Sequence, residues 1–425
     1  MTSAVASSFI ADLLSGPRPA EWEQLRLAAE GRLAGRELPT TAQEDWKYLD
    51  LKALAGITFS PAPRATADIS GHLLPEMVGT RQVFVNGHHA PHASCASAVP
   101  AGVRFLPLAT ASEACHALGS VPNGAEPGLF EDLNTARFED GAVLLVPKNM
   151  KVALPLHLLF ITQADTPVAV FPRVLVVLER GAELELVEEH HGTGTYLSCP
   201  VIEVRVGEGA ILRHERIQRE SDEAFHLGTL KAEVGRGGHY HSRTLSFGAR
   251  LSRQQPWVRL AEGAEATLDG LALLGGHQLA DTHSFMHHAE PQATSRQLHK
   301  CIVDGKARAI FNGQVRVAPR AQGTDARQQS RNLLLSETAR VDTKPQLDIY
   351  ADDVKCSHGA TVGQLDPEEL FYLQSRGLNA DDARNLLTFG FAADVLKRIP
   401  VASLRRVLRQ LVMARTQAAS LGDLS

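Results

Sequence analysis

From about residue 140 the chain repeats one unit: a strand-forming run, a small-residue corner and a second strand-forming run. The clearest copies are Leu178-Glu-Arg-Gly181-Ala182, Val206-Gly-Glu-Gly209-Ala210, Val234-Gly-Arg-Gly237-Gly238 and Leu260-Ala-Glu-Gly263-Ala264. Fainter echoes are Val303-Asp-Gly305-Lys-Ala307, Ser336-Glu-Thr-Ala339 and Cys356-Ser-His-Gly359-Ala360. Measured on the alanine or second glycine, the steps are 28, 28, 26, 43, 32 and 21 residues. A single rung of this kind cannot bury its own apolar face, so its recurrence points to rungs stacked in a solenoid. No helical pattern long enough for a crossover lies between the copies, which argues against a doubly wound sheet. A β-sandwich would space its turns at about 8–12 residues. The pattern favours a parallel β-helix over residues 139–365.

The flanks read differently. Residues 1–138 form a mixed region with helical stretches at Pro19–Leu33 and from a Thr41-Ala42-Gln43-Glu44 capping box through Leu54. A strand and turn follow at Val83–Gly87, and a short helix at Gly128–Arg137. Residues 366–425 form a helical tail. Asp366 is placed as N-cap with Pro367 at the first helical position, Asn379 caps a second helix that Pro400 stops, and a third runs from Val401 to about Ala419. Such a tail suits either an end cap for the solenoid or a partner-docking element.

With 43 basic against 48 acidic residues and a net charge of −5, the chain is a poor candidate for a large nucleic-acid footprint. No run of eighteen apolar residues occurs, and the N-terminus lacks the basic region of a secretory signal, so a cytoplasmic protein is expected. Five scattered cysteines (95, 115, 199, 301 and 356) and no Cys-x-x-Cys write neither a disulfide framework nor a zinc ribbon. Phosphate-binding, dinucleotide-binding, zincin and nucleophile-elbow motifs are also absent.

Cys356 and His358 are the strongest candidates for chemistry. On a strand they project to the same face from positions two apart, half of a four-ligand site for iron, zinc or an iron–sulfur cluster. The bland alternative is a packed thiol beside a hydrogen-bonded imidazole. His239-Tyr-His241 has cupin-like spacing without the glutamate that should follow. His283 with His287 and His288 offers an i,i+4 pair in a segment that reads as loop. Glu183, Glu185 and Glu203 are expected on a solvated face, or as carboxylates of a carbohydrate-active enzyme on a parallel β-helix, the competing function class.

Three longer segments carry a resemblance. These are Phe311-Asn-Gly-Gln-Val-Arg-Val with Ala321-Gln-Gly-Thr324 to Ser336, then Asp342-Thr-Lys-Pro345 to Thr361, then Leu370-Phe-Tyr372-Leu-Gln-Ser-Arg376-Gly377. Together with Glu44-Asp-Trp46-Lys-Tyr48 upstream, they resemble the SufB/SufD family of iron–sulfur cluster assembly proteins. Leu333-Leu-Leu-Ser336 and Lys355-Cys-Ser-His-Gly-Ala-Thr361 look like the SufD branch, where SufB would show Cys-x-Ala-His-Thr and Glu-His-Glu-Ala-Thr.

The resemblance implies a right-handed parallel β-helix and a non-catalytic scaffold in the SUF system. Its partners would be a SufB paralogue, the ABC-type ATPase SufC and, indirectly, a cysteine desulfurase system, with a homodimer when isolated. It implies that His358, and Cys356 less securely, help hold a nascent cluster completed by the partner chain. It also implies ATPase docking on the C-terminal helices, for which Phe371, Tyr372, Arg376, Phe389 and Phe391 are the candidate contacts. Some family complexes carry a reduced flavin, for which this chain shows no fingerprint.

Overall fold

The computed structural model describes residues 3–16, 21–111, 117–121 and 127–416. Two long sheets of parallel strands wind into eight turns. The first sheet runs from Gly141–Val146 to Arg340–Ile349, and the second from Leu156–Gln163 to Val354–Gly363. Successive rungs pair in strict register, so each inward position builds a lane. Leu144, Val176, Val204, Ala232, Val258, Met286 and Val315 form one such lane and pack in the apolar interior. At about 1.5–3 kcal/mol for each fully buried aliphatic side chain, this stacking is the main source of the fold's stability.

The corner motif works as the repeat suggests. Gly181, Gly209, Gly237 and Gly263 take φ of 67°, 61°, 59° and 62°, the left-handed region where only glycine is unstrained. Ala182, Ala210 and Ala264 follow them into the core, fully buried. The fainter echoes need correction. Gly305–Ala307 and Ala339 turn at the opposite edge, leading from the second sheet back to the first. Gly359–Ala360 is no corner at all, lying within the continuous strand Val354–Gly363.

The N-terminal region covers the outer face of the first sheet. Helices α1 (Ser3–Leu14), α2 (Glu23–Leu33), α3 (Lys52–Ala55) and α4 (Leu129–Arg137) bury Leu33, Leu54 and Leu133 against Leu197, Phe225 and Leu251. The expected helix from Thr41 through Leu54 does not form. A single 3₁₀ turn at Glu44–Trp46 and the one-turn α3 replace it, with no side-chain cap from Gln43. The segment is held by tertiary contacts instead. The Arg253 guanidinium lies 4.0 Å from the Trp46 ring centroid, that of Arg308 lies 5.8 Å from that of Tyr48, and Lys344 pairs with Glu44.

The tail forms α5 (Pro367–Ser375), α6 (Ala380–Leu396) and α7 (Ala402–Arg415), with Asp366 and Asn379 capping as expected. The expected extension of the last helix to Ala419 lies outside the described residues, as does Cys115. Helices α6 and α7 do not cap the solenoid. They lie along the outer face of the second sheet, where Val395, Leu404 and Leu408 pack on Val187, Ile217, Leu245 and Leu271.

The two ends of the solenoid therefore differ. At the first end, short antiparallel strands, His88–His89 and Arg104–Pro107, finish the sheets. At the other, Arg340–Ile349 and Val354–Gly363 each have a neighbour on one side only.

Candidate functional site

Cys356 and His358 sit on that last, uncovered rung. Register fixes where they point. Cys356 ends the inward lane Leu184, Leu212, Tyr240, Ala266, Ser295, Ala326. His358 ends the next, Leu186, His214, Ser242, Leu268, Gln297, Gln328. Both side chains thus belong to the face that is interior in earlier rungs, as the two-residue spacing predicts. They differ in exposure. Cys356 is half-buried against the apolar core, whereas His358 is exposed because no further rung covers it.

Burial pushes the Cys356 thiol above its ordinary value, only partly offset by a hydrogen bond involving the Ala326 backbone. The thiolate a metal needs is therefore less available here than on a free cysteine, until a cation arrives to draw the proton off. The rung is also rimmed with apolar surface. Ile349, Tyr350 and Val362 are 39%, 59% and 47% exposed, and all three lie on or beside the unpaired strands.

The other expected groups are dispersed. His239 Nδ1 lies 3.2 Å from Glu265 Oε2 at the surface. His283, His287 and His288 occupy a strand, Leu279–His288, not a loop. On a strand, residues four apart are roughly 13 Å from one another, so His283 and His287 cannot share an ion. Nor is Glu203 solvated: it is fully buried on Arg173 and accepts from the Gly119 amide at 3.0 Å. Glu183 is paired with Lys151, leaving Glu185, half-buried and raised by its burial, without a matching free carboxylate among the three.

Of the C-terminal candidates, Phe371 and Tyr372 on α5 are 71% and 56% exposed. The Arg376 guanidinium lies 5.2 Å from the Tyr372 ring centroid. Phe389 and Phe391 on α6 are half-buried instead. Lys300 Nζ lies 4.5 Å from the Phe391 ring centroid, and Arg409 lies 5.5 Å from that of Phe389.

One group of ligand-type side chains escapes a reading of the sequence. Glu188-Glu-His190-His191 alternates faces, so Glu188 and His190 enter the solenoid while Glu189 and His191 point outward. His190 meets Glu220 and His226 from later rungs. Only the register brings these three together.

Comparison with known proteins identifies the family. The model of the SUF system FeS cluster assembly SufBD core domain matches residues 160–391, and that of the SufBD protein N-terminal region matches residues 11–158. The chain belongs to the SufB/SufD family.

An iron–sulfur cluster assembly SufBD family protein of Synechocystis is 39% identical over 95% of this chain and 93% of its own length. The iron–sulfur cluster assembly protein SufD of Escherichia coli K12 is 31% identical over 89% and 88%. The chloroplastic protein ABCI7 of Arabidopsis thaliana is 31% identical over 92% and 85%. Membership of the SufB/SufD family connects the chain with iron–sulfur cluster assembly by the SUF system. Among the described residues no helix is long and apolar enough to cross a membrane.

Proposed function

We propose that the chain is a SufD-type, non-catalytic scaffold, and that its last rung joins a SufB-type partner to build a nascent iron–sulfur cluster between them. The observation that carries this reading is the open end of the solenoid, where two unpaired strand edges flank Cys356 and His358. Unpaired edges expose backbone donors and acceptors that a second chain can satisfy by strand addition. Partner strands added there would extend both sheets, cover Ile349, Tyr350 and Val362, and carry the half-site formed by Cys356 and His358 into a shared interior.

The cluster is the scaffold's cargo. His358 supplies an imidazole nitrogen already facing the junction, and Cys356 supplies a thiol that loses its proton on ligation. The remaining ligands come from the partner chain. Phe371, Tyr372 and Arg376, projecting from α5, are the surface proposed for the ATPase SufC. A cytoplasmic setting and sulfur supply by a cysteine desulfurase system complete the reading.

The test is co-expression of His358→Ala with the SufB- and SufC-type partners. The complex should assemble, while its cluster content, read from visible absorption and from iron and acid-labile sulfide, should fall severalfold. An unchanged yield would remove His358 from the site.

A further inference from the structure

Most of the solenoid interior is apolar, but a buried polar group interrupts it at its early rungs. His190, Glu220 and His226 are 4%, 6% and 1% exposed, and one ligand atom from each lies within 4.8 Å of the others. His226 Nδ1 lies 2.7 Å from Glu220 Oε2, while its Nε2 is buried without a hydrogen-bond partner. A fully buried imidazole in this state is costly unless something else satisfies its lone pair.

The surroundings resemble an outer ligand shell. His190 Nε2 donates to Glu188 Oε1 at 2.8 Å, the relation by which a carboxylate orients a metal-bound histidine through its second nitrogen. Glu188 Oε2 accepts from His214 Nε2 at 3.0 Å, and Gln218 Nε2 donates to Glu220 Oε2 at 2.9 Å. The Tyr196 hydroxyl is buried beside Glu220 and the Ser221 backbone.

We propose that His190, Glu220 and His226 bind a divalent transition-metal ion, zinc or iron(II), inside the solenoid. Two imidazoles and a carboxylate are the donor set both ions accept, and three protein ligands leave a position for water or the Tyr196 hydroxyl. The site spans positions four to six rungs from the strand of Cys356 and His358, roughly 19–29 Å at ~4.8 Å per rung, so it is separate from the proposed junction. Its ligands come from three separate segments, the strand Glu183–Thr193, the corner after Arg219 and the strand Phe225–Val234, so the ion ties neighbouring rungs together. Because the site is closed, the metal is acquired during folding.

The full chain is expressed in medium supplemented with cobalt(II), or separately with zinc. It should retain about one equivalent of metal after desalting, with cobalt d–d bands and zinc X-ray absorption showing imidazole and oxygen but no sulfur. The Cys356→Ser/His358→Ala double variant should retain the same equivalent. Glu220→Gln should lose at least tenfold in affinity, and Glu188→Gln about 10–100-fold as an orienting residue. Absence of retained metal in the wild-type chain would overturn the proposal. So would sulfur in the coordination shell, or a folded Glu220→Gln chain that holds metal as tightly as wild type. The wild-type spectrum decides the matter even if a variant does not fold.

Discussion

His358 stands in register on Gln328, one rung apart in the same lane, yet the amide is 1% exposed and the imidazole is open to solvent. Gln328 Nε2 donates to Gln297 Oε1 at 2.8 Å, a rung-to-rung hydrogen bond. In the proposed complex, the rung that buries His358 comes from the partner chain.

Charge placed at this edge should therefore block partnering without harming the fold. Val362→Lys and Tyr350→Asp alter exposed positions, where substitutions usually change stability by no more than about 0.5 kcal/mol. Each should abolish co-purification with a SufB-type partner, while the denaturation midpoint of the isolated chain stays unchanged. Retained pairing in both variants would place the interface elsewhere.

Deleting residues 366–425 is predicted to do more than remove a docking surface. It would uncover Val187, Ile217, Leu245 and Leu271 on the second sheet and leave an insoluble or aggregating chain, read by size-exclusion chromatography. ATPase docking is better probed by Phe371→Glu and Tyr372→Ala. These should leave circular dichroism unchanged and weaken retention of the ATPase by tenfold or more.

The buried pair of Arg173 and Glu203 gives a large and specific stability prediction. Arg173 also donates to Asn134 Oδ1 at 3.1 Å and Thr135 Oγ1 at 3.0 Å, joining α4 to the first sheet. Glu203→Gln leaves a buried guanidinium without its counter-charge and should cost about 3–5 kcal/mol in urea unfolding. Replacing both residues by Met and Leu should recover much of that loss.

Acid should destabilise the solenoid through its buried imidazoles. Burial holds His299 down to about 4, and burial followed by neighbouring His287 does the same for His288. In the unfolded chain both titrate near 6.5, so between about pH 6.5 and 4 the unfolded state binds protons that the folded state refuses. The stabilisation present above pH ~6.5 is thus lost as pH falls, by up to about 1.4 kcal/mol per pH unit for each histidine. Urea midpoints at about pH 7 and about pH 5 should differ less in His299→Gln than in wild type if this linkage holds.

Thiol reactivity should follow environment. A hydrogen bond from Ser97 lowers Cys95, burial raises Cys356, and burial pushes Cys301 up to about 12 and Cys199 higher still. Alkylation of the native chain, followed by peptide mass spectrometry, should label Cys95 first, Cys356 more slowly, and Cys199 and Cys301 only after unfolding.

The solenoid was legible because its period is written in the corners, where Gly181, Gly209, Gly237 and Gly263 need the left-handed conformation. The same small-residue signal serves both edges of a rung, so Gly305 and Ala339 could not be assigned to an edge from sequence. Gly359, a glycine within a strand, imitated it. Cys356 and His358 were legible because their spacing matches the strand period. Glu203 was misjudged because alternation shows which face a side chain takes, and not that Arg173, Gly119 and α4 cover that face. His190, Glu220 and His226 stayed hidden for a related reason: they lie in different rungs, and only the pairing register makes them neighbours.

The unequal ends of the solenoid set a limit on assembly size. A β-solenoid open at both ends could stack without limit into a fibre. Here one terminus is finished by short antiparallel strands and the other is left to pair. In the proposed pairing, joining two such chains would consume both open ends, so growth would stop at the pair and the complex would hold one shared site.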